Sequence, residues 1–156
     1  MMKANPFNDE ARSKILNLLE TQLIAVLSTS SDNEPYSCLI GFGFTPDLKH
    51  LFFATMRARL KYRKMKANPV VSLIVDTRSN SPSDFQEAIS VTFTGKAVDV
   101  AGPQREILAV DLSKRHPALT DFVNEPDCAI MLVTLSRIYL VENFESTSIY
   151  ELDSTF

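Results

Sequence analysis

Six of the sixteen lysines and arginines fall in one stretch, Arg57-Ala58-Arg59-Leu60-Lys61-Tyr62-Arg63-Lys64-Met65-Lys66, with no acid among them. Such a cluster suits an anion. A phosphate gains from arginine forks, from a lysine point charge and from free N–H groups at a helix start. On a helix over 57–66, Arg57, Lys61 and Lys64 share one face, and Arg59, Arg63 and Lys66 share a neighbouring one. Like charges so arranged repel. The stretch therefore needs either an anion or a solvated face whose aliphatic stems cover the rim of a core. A nucleic-acid or membrane-surface helix is a weaker third reading, because no Trp or Phe is interleaved among the bases.

The remaining polar residues give less. His116 stands between Arg115 and Pro117, and His50 just precedes a strand, so both read as surface or capping residues. Cys38 lies in an apolar alternation and reads as a small buried hydrophobe rather than a nucleophile. Asp76, Asp84, Glu87 and Asp99 show no paired-carboxylate spacing. No Cys/His cluster has zinc-like spacing, so no metal is expected. Neither GxGxxG nor GxxxxGK[ST] occurs.

These residues must be positioned by a mostly β chain. A helix is expected at about 8–20, with Asn8 as cap and Ala11, Ile15, Leu18 and Leu19 on one face. Strands follow at 22–29, 36–44 and 51–56. In the second, Tyr36, Cys38, Ile40, Phe42 and Phe44 share a face, and Gly41 and Gly43 opposite them signal a bend or a close neighbour. The basic helix, about 57–66, stops before Asn68-Pro69. Strands at 70–77 and 88–100 come next, the latter with a bulge at Gly95. Gly102-Pro103 opens a helix to about Lys114, and a second helical turn runs from His116 to Phe122. Cys128–Leu135 and Arg137–Phe144 read as a final strand pair, and residues 145–156 as an arm or edge strand. Hairpin-connected strands with few helices predict a small antiparallel barrel.

Composition agrees. With 156 residues, 45% of them apolar and 22% charged, the chain fits one globular domain over residues 1–156. Its net charge of −3 argues against a dedicated nucleic-acid binder. No apolar run reaches the roughly 18 residues of a membrane helix. The opening MMKANPFNDEAR lacks a signal-peptide pattern, so a cytoplasmic protein with Cys38 and Cys128 reduced is expected.

Taken in order, LIAVLST, EPYSCLIGFGF, LFFATMRARLKYRKMKANPVVSLIVDTRSN and AISVTFTGKAV, followed by HPALTDF and IYLVENF, resemble the flavin-binding split-barrel family related to pyridoxamine 5′-phosphate oxidase. The resemblance runs from about Leu18 to Phe144. It implies a mainly β fold, a six-stranded antiparallel split barrel, and a homodimer with FMN in the cleft between subunits. Residue by residue, it implies that Lys61 binds the phosphate. Arg59 stands where many members carry Ser or Thr against that phosphate. Leu60 stands where the oxidase has an arginine, and Arg57 is the substitute the stretch offers. Thr55 matches a position whose backbone and hydroxyl approach the flavin. Ser37, Cys38 and Leu39 match the segment beside the ring, with Gly41 and Gly43 leaving room for it. Ser90 stands where the oxidase has a glutamine. Asp76, Arg78 and Asn80 are second-tier residues that reach toward the other subunit.

The oxidase closes over its vitamin substrate with a C-terminal segment containing Arg, Pro and Trp. This sequence ends in STSIYELDSTF and has no Trp, which argues against vitamin B6 oxidation. The expectation is an FMN-dependent oxidoreductase with an unidentified small-molecule substrate and no assigned catalytic side chain. The alternative is a non-catalytic carrier of flavin, of the deazaflavin F420 or of haem, with His50 or His116 as axial ligand in the last case. A third reading is a non-flavin barrel whose basic helix binds an acidic partner. No membrane or nucleic-acid partner is expected.

Overall fold

The computed structural model describes residues 4–152. Helix α1 (Asp9–Thr21) starts at Asn8, whose Oδ1 accepts the Ala11 N–H at 2.9 Å, and it buries Ala11, Ile15, Leu18 and Leu19. Strands β1 (Ile24–Ser31) and β2 (Glu34–Phe44) form a hairpin. Its two-residue turn, Asp32-Asn33, has φ of 51° and 60°. Two left-handed residues match the right-handed twist of the flanking strands, and Asp and Asn tolerate that region. Strand β3 (His50–Met56), helix α2 (Leu60–Ala67) and strand β4 (Val70–Asp76) follow. The next elements are α3 (Asp84–Glu87), β5 (Ile89–Val100), α4 (Gly102–Arg115), a 3₁₀ turn (Pro117–Leu119) and α5 (Thr120–Val123). Strands β6 (Cys128–Glu142) and β7 (Ser146–Glu151) complete the fold.

The sheet order is β3-β2-β1-β4-β5-β6-β7, with an added pairing of β3 to β6. That pairing closes β1–β6 into a six-stranded antiparallel barrel, so the expected fold class holds. Strand β7 hangs from the far half of β6 as an edge. The interior is filled by Leu27, Phe42, Phe53, Leu73, Phe93 and Met131, with Ile15 and Leu19 of α1 packed onto them. A second cluster, around Phe52, Ile130, Leu108 and Leu112, seats α4 against the outside of β3 and β6.

The structure corrects three expectations. The basic helix begins at Leu60, not at residue 57. The Arg57 N–H instead donates to the Asp127 carbonyl at 3.0 Å, prolonging the β3–β6 edge, and Arg59 is extended with φ −80° and ψ 152°. The expected break at Ser136 is a bulge inside one continuous strand. Thr94 pairs with Arg137 and Gly95 with Leu135, so Ser136 is the extra residue, and the real turn is Asn143-Phe144. The expected room at Gly41 and Gly43 is taken. A Cβ on Gly43 would overlap the Phe52 ring, and one on Gly41 would meet Leu119 at 3.4 Å and His116 at 3.5 Å. The expected C-terminal arm, 145–156, contributes β7, and residues 153–156 lie outside those described. Among the described residues, no helix is long and apolar enough to cross a membrane, and no cluster of three or more His, Cys, Asp or Glu could hold a metal.

Candidate functional site

The six bases of the basic stretch divide by what holds them. Arg57 forks onto Asp99 of β5, with Nε to Oδ2 at 3.1 Å and Nη2 to Oδ1 at 3.2 Å, and reaches the Cys128 carbonyl at 3.4 Å. The Tyr62 hydroxyl donates to the same carboxylate at 2.8 Å. Burial, then that bond to Asp99, pushes the Tyr62 phenol above its ordinary pKa. Lys64 is only 8% exposed, and its ammonium donates to the Glu34 carbonyl at 3.0 Å and to Ser31 Oγ at 3.4 Å. Together with Asn68 Nδ2, which donates to the Ser30 carbonyl at 2.9 Å, it ties α2 to the β1–β2 hairpin. Two bases are thus held by protein partners, which neither the anion nor the solvated-face expectation included.

Arg59, Lys61, Arg63 and Lys66 make no side-chain hydrogen bond or ion pair among the described residues. Arg59 occupies the N-cap of α2 without capping it, and the first turn carries no acid. Helix starts favour anions, because their free N–H groups and dipole are positive there. Here Arg59 and Lys61 add two cations to that end. The donor chemistry therefore fits a phosphate.

Helix α2 packs mainly on β1, and the Lys61 charge reaches Cys38 on the neighbouring strand β2. Burial raises the pKa of the Cys38 thiol, and the Lys61 charge opposes that rise. Cys38 points inward beside Leu27, while Ser37 and Leu39 face outward. The Ser37 hydroxyl bonds Ser28 across the hairpin at 3.0 Å. Leu39 is 70% exposed and edges a hollow of about 320 Å³ shared with Ile24, Val26 and Ile74. Thr55 is fully buried, and its hydroxyl donates to the Met56 carbonyl at 3.3 Å. Among the residues singled out from the sequence, the fold thus groups Lys61 with Cys38. Ser37 and Leu39 lie on the outer face of the same strand. Thr55 is sealed inside the barrel, and Arg57 is bound to Asp99.

Of the two histidine rings, only that of His116 makes a hydrogen bond among the described residues, and the His50 bond is from its backbone. His116 Nε2 donates to the Phe42 carbonyl at 2.8 Å, a tautomer set by its carbonyl partner. Arg115 beside it donates to the carbonyls of Leu19 and Gln22 and lies over Phe42 and Phe44. His50 frames the β3 turn, its N–H donating to Thr45 Oγ1 at 3.1 Å.

Asp99 was missed as a functional partner because it lies 42 residues from Arg57. The loop 77–88 was expected to carry Arg78 and Asn80 toward the other subunit, and Asp84 had no role in that expectation. Asp84 organises it, accepting the Ser79 N–H at 3.0 Å and the Asn80 N–H at 2.9 Å. The Ser79 backbone bond leads the interactions that hold the Asp84 carboxyl below its ordinary pKa of 3.8. A depressed folded pKa means that the charged form holds the loop at and above that value and releases it as pH falls through the lowered one. The Ser79 and Asn80 amide-proton shifts should hold from neutral pH to about pH 4 and move together below it, as followed by NMR. Asp84→Asn should remove that transition.

A milder test concerns Arg57. Asp99→Asn is expected to cost about 1 kcal/mol in thermal or urea unfolding. This is a small value for a forked pair because Arg57 is more than a third exposed and water screens it.

The family model for pyridoxamine 5′-phosphate oxidase matches residues 11–142. No curated protein matches the chain. Among solved structures, a haem-binding protein from Mycobacterium smegmatis superposes with TM-score 0.80 at 12% identity, covering 97% of this chain and 60% of that one. This chain therefore spans about 60% of that protein's length. A Clostridium acetobutylicum protein related to general stress protein 26 superposes with TM-score 0.72 at 14% identity, over 94% and 98% of the two chains. The haem storage protein HutZ from Vibrio cholerae gives TM-score 0.66 at 15% identity, over 80% and 94%. At such identities these likenesses establish a shared fold. The match over residues 11–142 goes further, and the chain belongs to the pyridoxamine 5′-phosphate oxidase family.

Proposed function

We propose that the chain is an FMN-dependent oxidoreductase that works as a homodimer on a small molecule other than the vitamin B6 phosphates. One observation carries this reading. Arg59 and Lys61 stand un-neutralised at the acid-free start of α2, beside β2. They would hold the flavin phosphate, with the free N–H groups of the first helical turn as further donors. The outward side chains Ser37 and Leu39 would flank the ring. When bound, FMN supplies the hydride or electron transfer, and the protein contributes binding, orientation and exclusion of water. No side chain is assigned as acid or base. The homodimer is supported by the outer face of β1, β2 and β4, where Ile24 and Leu39 are exposed beside Val26 and Ile74. A two-fold partner is the commonest cover for such a strip.

The test is an absorbance spectrum of the purified protein followed by titration with FMN. Flavin bands, or saturable FMN binding, support the reading. A Soret band would replace it with haem, the cargo of two of the structural neighbours. A colourless protein without FMN affinity would overturn it and direct the next titrations to F420 and to polyanions.

A further inference from the structure

The anion donors at the start of α2 sit on a turn. Strand β3 ends at Met56, whose carbonyl accepts the Arg59 N–H at 3.1 Å, and the helix begins at Leu60. Among the described residues, the N–H groups of Leu60, Lys61 and Tyr62 have no acceptor, because the first helical bond is the one from Arg63 to the Arg59 carbonyl. A strand-to-helix junction of this kind has several conformations open to it unless contacts from outside hold it. Every conformation that misdirects a donor weakens binding, since the ligand must then order the segment as it binds.

Two carboxylates supply that hold, one on β5 and one just before β6. Asp127 accepts the Arg57 N–H on its carbonyl at 3.0 Å and the Ala58 N–H on Oδ2 at 3.3 Å. Asp99 takes the Arg57 fork on both of its oxygens and the Tyr62 hydroxyl on Oδ2. Arg57 precedes Arg59-Leu60-Lys61, and Tyr62 follows it. One carboxylate thus grips the donor segment from both ends. Asp99 is firmly seated for this. Its side chain is only 17% exposed, and its backbone pairs with Met131 in the long β5–β6 ladder. Arg105 of α4 braces the same corner, donating at 3.1 Å to the Cys128 carbonyl that Arg57 also reaches.

Charge alone gives Asp99 the wrong sign for helping an anion to bind. Its carboxylate repels a phosphate at Arg59 and Lys61, and it takes Arg57 out of the cation set. Its geometry acts in the opposite direction. We propose that Asp99 is a positioning residue for the anion site: by holding Arg57 and Tyr62 it fixes the turn between them, so that Arg59, Lys61 and the free N–H groups are directed at one phosphate. That this phosphate is the flavin's rests on the function proposed above, whereas the positioning does not.

The test compares FMN with riboflavin, which has the same ring without the phosphate, and adds inorganic phosphate as a probe that needs no flavin. The parent protein should bind FMN more tightly than riboflavin. Asp99→Ala should narrow that preference about tenfold, the scale expected when one or two side chains must be ordered on binding, and should leave riboflavin affinity unchanged. Tyr62→Phe, which removes a single hydroxyl, should act in the same direction by about two- to fivefold, and it carries the test if Asp99→Ala fails to fold. Inorganic phosphate, followed through the amide shifts of Leu60 and Lys61, should show the same losses. In an Arg59→Ala/Lys61→Ala background, Asp99→Ala should have no further effect on phosphate binding. Equal losses of FMN and riboflavin would mark a loosened barrel and overturn the proposal. Tighter FMN or phosphate binding in Asp99→Ala would overturn it as well, since that is the result of removing a negative charge and freeing Arg57 for the anion. A parent that binds phosphate but not FMN, with the phosphate affinity still falling in Asp99→Ala, would remove the flavin reading and support the positioning. A parent whose preference for FMN survives Asp99→Ala would remove the positioning and leave the flavin reading, and a parent that binds neither phosphate nor FMN would overturn both.

Discussion

Replacing Lys61 by alanine is expected to weaken FMN binding about 10- to 100-fold while leaving the fold untouched. A hydrogen bond to a charged group contributes about 1.5–3 kcal/mol, and each 1.4 kcal/mol is a factor of ten in affinity. Arg59→Ala should act in the same direction, and the double variant more strongly than either. Neither side chain holds a protein partner among the described residues, so stability should move by no more than about 0.5 kcal/mol. Removing one of several like charges could even stabilise the unliganded protein. The decisive contrast is with Lys64, a neighbour of the same type on the same helix. Its ammonium is buried on the Glu34 carbonyl and Ser31, so Lys64→Ala should lower the unfolding midpoint through the hairpin it pins. FMN titration alongside thermal unfolding separates the two effects. If the Arg59→Ala/Lys61→Ala protein binds FMN as tightly as the parent, the phosphate is held elsewhere and the site as drawn is wrong.

That contrast also shows what a sequence can carry. Period and local chemistry fixed α1, its cap and its four buried residues, because a helix face and an N-cap are short-range properties. The register shift at Gly95 and the Gly102-Pro103 helix start were readable for the same reason, although the extra residue of the bulge is Ser136 on β6. The basic stretch was found as a cluster but not divided. Whether Arg57 meets an anion or Asp99 depends on a carboxylate 42 residues away, and whether Lys64 is solvated depends on where the β1–β2 hairpin folds back. The glycines of β2 misled in a related way. Their lack of a Cβ correctly signalled a close neighbour, but the neighbours are Phe52 and His116 rather than a ligand. Ser136 looked like a strand end because polarity at one position reads alike for a turn and for a bulge. Only the pairing partner distinguishes them. A hollow lined by Phe85 and Phe144 joins segments separated by almost the whole of β5 to β6, and no local pattern reports it.

Gly95→Ala is expected to be the most damaging alanine substitution among the glycines of the chain. A Cβ at position 95 would drive into the Thr134 carbonyl oxygen and come within 2.9 Å of its carbon and 3.0 Å of Val133 Cγ1. The obstacle is backbone, so no rotamer relieves it. Thr134 cannot move alone either. It pairs with Lys96 on one side and with His50 of β3 on the other, and the β3–β6 pairing is what closes the barrel. Shifting it would loosen two ladders at once. A loss of about 3–5 kcal/mol follows, a large share of the 5–15 kcal/mol that typically stabilises a domain. At about 2–4 °C per kcal/mol for a domain of this size, the midpoint should fall by roughly 6–20 °C. Two other glycines grade the effect. Gly43→Ala meets the Phe52 ring, a side chain that can tilt but is packed beneath α4, so the expected cost is smaller. Gly102→Ala meets no atom within 4 Å and must adopt only the left-handed φ of 67°, a cost of about 1–2 kcal/mol. Unfolding midpoints in the order parent, Gly102→Ala, Gly43→Ala, Gly95→Ala from highest to lowest would show that closure of the β5–β6–β3 seam, rather than glycine freedom as such, sets the stability of this barrel. A Gly95→Ala protein as stable as Gly102→Ala would mean that the bulge relaxes freely and that the seam is not the constraint.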